Sequence, residues 1–208
     1  MSDFAMSDAL TILTIGHSAH SSEGFIALLR AAAVTAVADV RTSPYSRRHP
    51  QFNRDALRDE LRRYGISYVF LGKELGGRPS DSALYCEGVA DYEKMAETPD
   101  FQTGLDRVVE GARTHRVALM CSERDPMDCH RCLLVSRALA QRGVNVKHVL
   151  SDGQTISQSE VEDRLLETSS RDREDLFAPR SERLAMAYRE HARKVAFAEP
   201  QPETDPTE

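Results

Sequence analysis

The sequence has no tryptophan, and only 4 of its 27 basic residues are lysine. That arginine bias reflects overall composition more than a set of individually chosen guanidiniums. No apolar run approaches the length of a membrane span, and the N-terminus carries no signal-peptide pattern. A cytoplasmic protein with no membrane partner is therefore expected. Cysteine is also scarce: in a reducing compartment the 4 residues Cys86, Cys121, Cys129 and Cys132 are expected to be thiols rather than disulfides. A net charge of −6 argues against a surface coated for nonspecific DNA binding, though local basic patches remain open. No internal repeat is visible.

What is present reads as alternating strand and helix. Short β-rich runs occur at "LTILTIGH" (10–17), "TAVADVR" (35–41), "ISYVF" (66–70), "RVALMC" (116–121) and "VNVKHVL" (144–150). Between them, helical spacing of apolar residues follows a serine cap before Phe25, Asn53 before Leu57 and Leu61, and Thr98-Pro99 before Phe101, Leu105 and Val108. A further helix is expected to start at Asp125-Pro126 and end at Gly143, while 80–98 reads as an irregular excursion with a short helix. The alternation predicts one Rossmann-like α/β domain over 9–166, with a mostly parallel five-stranded sheet flanked by helices. Residues 167–208 read as a charged helical and disordered C-terminal tail. Its amphipathic helix near 182–195 puts Leu184, Tyr188, His191 and Val195 on one face, enough to dock on the core or to make a homo-oligomer.

In open α/β sheets, ligands sit outside the carboxyl ends of the strands. Those ends carry Gly16-His17-Ser18, then Asp39-Val40-Arg41 with Ser43 and Tyr45, then Gly76-Gly77-Arg78, then Cys121-Ser122-Glu123. The last of these opens "CSERDPMDCHRC" (121–132), where a helix starting at Pro126 would aim free N–H groups at the mouth of the sheet. Cys121 then reads either as a thiolate activated by that helix and His130, or as a small buried strand-end residue. Glu123 and His130 form a plausible acid–base pair, against the plainer reading of a solvated carboxylate and a capping histidine. Successive helix residues diverge by about 100°, so Cys129, His130 and Arg131 cannot all face one cavity, and Cys129 is assigned to packing. Cys129-x-x-Cys132 with His130 supplies only one ligand pair, so neither metal nor cofactor is expected. Arg41, Arg47 and Arg48 lie among serine hydroxyls, a composition suited to phosphate. The alternative for Arg41 is a structural ion pair with Asp39.

"TIGHS", "DVRTSPYSRRHPQF", "LGGRP", "VALMCSERDPMDCHR" and "VKHVLSDG" follow, in order, the pattern of the domain of unknown function 488 family, which this chain resembles from about residue 11 to 153. The resemblance implies a compact α/β domain. It places a polar signature on Gly16, His17, Ser18, Asp39, Arg41, Pro44, Gly76, Gly77, Cys121, Glu123, Cys129, His130 and Arg131, with Cys132 at a variable position. It brings no reaction with it. The residues favour an enzyme or binding protein for a nucleotide-like or other phosphorylated ligand. Arg41, Gly76, Gly77, Arg131 and the helix at 126 would hold the anion, and His17, Glu123, His130 and Cys121 would carry the chemistry. The competing readings are a module that engages one exposed nucleotide of a nucleic acid, and a redox or metal sensor built on the cysteines.

Overall fold

The computed structural model describes residues 10–169 and 178–199. Its main sheet comprises β1 (Thr11–Gly16), β2 (Ala36–Asp39), β3 (Ser67–Phe70), β6 (Val117–Cys121), β7 (Asn145–Val149) and β8 (Thr155–Ser157). The spatial order is β3-β2-β6-β1-β7-β8, and every neighbouring pair is parallel except β7 with β8. A separate hairpin pairs β4 (Tyr85–Cys86) with β5 (Val89–Ala90). The helices are α1 (Ser22–Ala31), α2 (Arg54–Arg63), α3 (Gly72–Leu75), α4 (Tyr92–Ala96), α5 (Pro99–Gly111), α6 (Arg137–Gln141), α7 (Gln158–Thr168) and α8 (Arg180–Val195). None of the described helices is long and apolar enough to cross a membrane.

The continuous apolar runs β2 and β6 lie in the middle of the sheet and are buried on both faces, as parallel strands covered by helices must be. Side chains alternate between those faces. Leu13, Ile15, Val37, Ala118 and Met120 pack with Phe25 and Leu29 of α1 and Leu57 and Leu61 of α2. Ile12, Ala38, Leu119 and Cys121 face the other way, toward Phe101, Leu105 and Val108 of α5. The caps expected at Ser21 and Thr98 are made, by bonds from Gly24 N (3.1 Å) and Phe101 N (3.3 Å). The strand parity of β6 therefore delivers Cys121 to the face that also carries the loop beyond it.

Two features of the fold differ from expectation. The sheet has six strands rather than five. "TIS" (155–157) turns back on β7 through a tight loop closed by Leu150 N to Gln154 O (2.8 Å), and three residues are too few to display an alternating pattern. The second difference is that no helix runs from Pro126. Asp125 does accept Met127 N (2.9 Å), but the helix it caps is one 3₁₀ turn, Pro126–Asp128. Cys129 is then fully extended (φ −140°, ψ 137°). Helix resumes as a π-turn over Arg131–Ser136 before α6, with the Ser136 hydroxyl donating to Arg131 O (2.7 Å). Such wide turns are rare and are frequently found at functional sites.

The C-terminal helix docks against the chain's own core. Ala187 and Tyr188 are buried, and Gln158 of α7 donates to the Tyr188 hydroxyl (2.6 Å). Beyond α8, Ala90 N donates to Phe197 O (2.9 Å) and Glu199 N to Gly88 O (2.8 Å), tying the chain to the small hairpin. Of the acidic end expected to be disordered, 199–208, Glu199 is held by that bond, and 200–208 lie outside the described residues.

Candidate functional site

The carboxyl ends of β1, β2 and β6 open into a cleft of about 630 Å³. Of the residues expected there, His17, Ser18, Arg41, Ser43, Tyr45, Gly77, Cys121, Glu123 and His130 line it. Asp39, Gly76 and Arg131 do not reach it, and each has a structural task instead.

Asp39 is fully buried beneath Arg41. Its oxygens accept from Arg41 N (3.1 Å), Nε (2.9 Å) and Nη2 (2.7 Å), and from the Tyr68 hydroxyl (2.8 Å). Arg41 Nη2 also donates to Phe52 O (2.8 Å), and Nη1 faces His17 Nε2 at 3.2 Å. The guanidinium expected to hold a phosphate is thus 4% exposed and committed to a carboxylate, a carbonyl and an imidazole. His17 is committed too. Its Nδ1–H donates to Ser18 O (2.9 Å), which leaves Nε2 to accept from Arg41, and the ring stacks on Phe52 at 4.3 Å. Burial, reinforced by the Arg41 charge, pushes the His17 pKa down to about 4, although the Ser18 carbonyl and Asp39 oppose the shift. A neutral ring with both nitrogens occupied orders the β1 and β2 termini; it is not free to carry protons.

The floor of the cleft is different. His130 Nε2 lies 2.9 Å from Val40 O, and a carbonyl can only accept, so Nε2 carries a proton and donates it there. Nδ1, on the opposite side of the ring, faces two sulfurs, Cys121 Sγ at 3.7 Å and Cys129 Sγ at 3.9 Å. Gly77 holds the other side of the ring: a Cβ there would come within 2.7 Å of His130 Cγ, so only glycine permits the contact. Gly76 packs in the same way on the backbone carbonyl of Gly72 and the side chain of Thr42, so the pair of glycines serves close packing rather than a phosphate cradle.

Cys129, assigned to packing by its helical phase, is indeed buried, but it also joins the site. The helical fan that kept Cys129 and His130 apart does not apply, because Cys129 is extended and precedes the helix. Its thiol turns back to Cys121, and Cys132 faces Gln158 on the other side of the π-turn. Cys121 is held well above the usual thiol range by its hydrogen bond to Cys129 and by burial. Burial works against ionisation of Cys129 as well, but the Cys121 thiol, the Arg131 guanidinium and His130 together hold it low. The pair thus keeps a proton on Cys121 more firmly than on Cys129. Burial, and less strongly the charges of Cys129 and Asp125, push Cys132 up to about 12 against the opposing Arg131 charge.

Arg131, expected as a ligand-binding side chain, is completely buried under this floor. Nη1 donates to Glu123 O (2.7 Å) and Nη2 to Arg124 O (3.3 Å), which fixes the loop after β6; Nε has no partner. No carboxylate among the described residues pairs with it. Glu123 stands on the cleft wall, its carboxyl pKa raised by partial burial and then by Cys129. Two lining arginines were not expected as site residues. Arg78 lies over the Phe197 ring (4.7 Å) and Arg124 Nε donates to Ser151 Oγ (3.0 Å), and neither has a carboxylate partner among the described residues. Their position was visible, immediately after Gly76-Gly77 and inside the 121–132 stretch, but not that Arg41 would be occupied and they would not.

The family model described as Domain of unknown function DUF488 matches residues 21–138, more than half of the chain. The match takes in Arg41, Gly77, Cys121, Cys129, His130 and Arg131 and stops short of His17. No curated protein and no solved structure matches.

Proposed function

The chain belongs to the domain of unknown function 488 family, and we propose that its carboxyl-edge cleft is an enzyme site that holds a small phosphate-bearing ligand above the Cys121–Cys129–His130 cluster. One observation carries this reading. A single cleft brings together an imidazole nitrogen, two thiols facing it, and two arginines with no carboxylate partner among the described residues. Buried cysteine is often mere packing. Packing thiols, however, do not need a histidine ring fixed so that one of its nitrogens faces both of them.

The cleft volume suits a nucleotide-sized molecule. Arg78 and Arg124 take the anion-holding role that Arg41 cannot fill, and Glu123 on the wall supplies a carboxyl group within the same space. The test is calorimetric titration of the full chain with inorganic phosphate, pyrophosphate, mononucleotides and a short single strand. Each charge-assisted contact is worth about 1.5–3 kcal/mol. Arg78→Ala and Arg124→Ala should therefore each weaken binding by roughly ten- to a hundredfold. Both side chains are exposed, so the melting temperature should hold. Binding that survives both substitutions unchanged, or no binding by any of these ligands, refutes the reading. Preference for the single strand over every mononucleotide would favour a nucleic-acid module instead.

A further inference from the structure

We propose that Cys121, Cys129 and His130 form a three-ligand site for a divalent, borderline-soft metal ion of the zinc class, with its fourth position open to the cleft. The inference deepens the cleft reading and rests on it for what would occupy that fourth position.

The geometry is close to what such an ion requires. The two Sγ atoms and Nδ1 all lie within 4.8 Å of one another, with N–S separations of 3.7 and 3.9 Å. Tetrahedral bonds of about 2.3 Å to sulfur and about 2.0 Å to nitrogen place such atoms roughly 3.5–3.8 Å apart. The two N–S separations would contract by only a few tenths of an ångström, and the S–S separation, within 4.8 Å, by at most about 1 Å. The donors are also correctly prepared. A ligating histidine normally donates its other ring N–H to a carbonyl or carboxylate, which fixes its tautomer, and Val40 O does this for His130. The ring plane is set by Gly77, and Cys121 is fixed by the end of β6.

The ligand count points to an open site. No fourth cysteine, histidine or carboxylate among the described residues joins the group, and Cys132 is turned away toward Gln158. Three protein ligands on the floor of a cleft leave one position for water or a ligand oxygen. Charge agrees as well. Two thiolates neutralise a divalent ion, so an anionic fourth ligand leaves one net negative charge. The buried Arg131 guanidinium, with no carboxylate of its own among the described residues, lies beside the sulfurs to meet it.

The test uses the full chain, reduced, stripped with chelator and titrated with zinc(II) and cobalt(II). One ion per chain is expected, with the visible spectrum of tetrahedral cobalt and a thiolate charge-transfer band. X-ray absorption on the zinc-loaded wild-type chain should show two sulfurs at about 2.3 Å and lighter atoms at about 2.0–2.1 Å. Loss of an outer-shell partner typically costs ten- to a hundredfold in metal affinity. Cys121→Ser, Cys129→Ser and His130→Gln should each lower affinity by more than about a hundredfold, whereas Cys132→Ser and Cys86→Ser should not change it. The wild-type absorption data decide the matter if a buried variant fails to fold. Substoichiometric uptake, a sulfur count other than two, or loss on Cys132→Ser but not on Cys121→Ser overturns the site. So does a reversible Cys121–Cys129 disulfide in a chain that takes up no metal. Repeating the phosphate titration on stripped protein separates the two readings: phosphate bound without metal uptake preserves the cleft and removes the metal.

Discussion

Arg41→Ala separates a ligand arginine from a structural one. In the folded chain Asp39 is wholly buried, and three of its four hydrogen bonds come from Arg41. The backbone N–H survives the substitution, but both guanidinium donors are lost. Removing one member of a buried ion pair typically costs about 3–5 kcal/mol, because the remaining charge is left desolvated and uncompensated. For a chain of this size each kcal/mol moves the melting temperature by about 2–4 °C, so a drop of roughly 6–20 °C is expected. Arg41 also donates to Phe52 O and orients His17, so the upper half of that range is favoured. Asp39→Asn with Arg41→Ala should be less damaging than Arg41→Ala alone, since no orphaned charge remains. Thermal and urea melts of the two singles and the double, at one pH, give the coupling directly. If Arg41→Ala melts like the wild type while phosphate affinity falls tenfold, Arg41 holds the ligand and the argument from its buried partners is wrong.

Gly77→Ala should displace the His130 ring, since its Cβ would stand 2.7 Å from His130 Cγ. Overpacking of this kind costs about 1–3 kcal/mol, and the metal affinity proposed above should fall by about tenfold. Unchanged zinc binding would show that the ring does not need this wall. His148 is the second expectation. It is fully buried between Thr14 Oγ1 and Gln158 Oε1, and burial pushes its pKa down from 6.5 to about 4. Between those values the unfolded chain binds a proton that the folded chain refuses, so stability falls as pH drops from about 6.5 to 4 and is insensitive to this group above 6.5. The ceiling is about 3 kcal/mol at 1.36 kcal/mol per pKa unit. His148→Gln should remove that much of the acid sensitivity in urea melts, and a His148 proton resonance titrating near the ordinary histidine value would refute it.

Which features could be read from the chain follows from how local their causes are. β1, β2, β6 and β7 each announce themselves as buried runs, and the serine and threonine caps of α1 and α5 act within four residues. The Asp39–Arg41 pair was legible for a similar reason: residues two apart at a strand end fall on one side, so an acid and an arginine there can meet. The 121–132 stretch defeats the same method because two local signals compete. Asp125 and Pro126 do start a helix, but it ends after one turn. The extended Cys129 then breaks the 100° spacing on which the separation of its neighbours depended. Once that residue is extended, a thiol eight positions from Cys121 returns to it, and His130 begins the next helix with its Nδ1 between them. Val40 and Gly77, which fix the ring, come from distant parts of the chain, and no spacing rule relates them to residue 130. The thiol–imidazole cluster is therefore a tertiary product of one unwound residue. Restoring helix at 129 should dismantle it without touching a ligand: Asp128→Ala, a stronger helix former directly before Cys129, should move Cys129 off Cys121 and abolish the proposed two-sulfur coordination while all four cysteines remain.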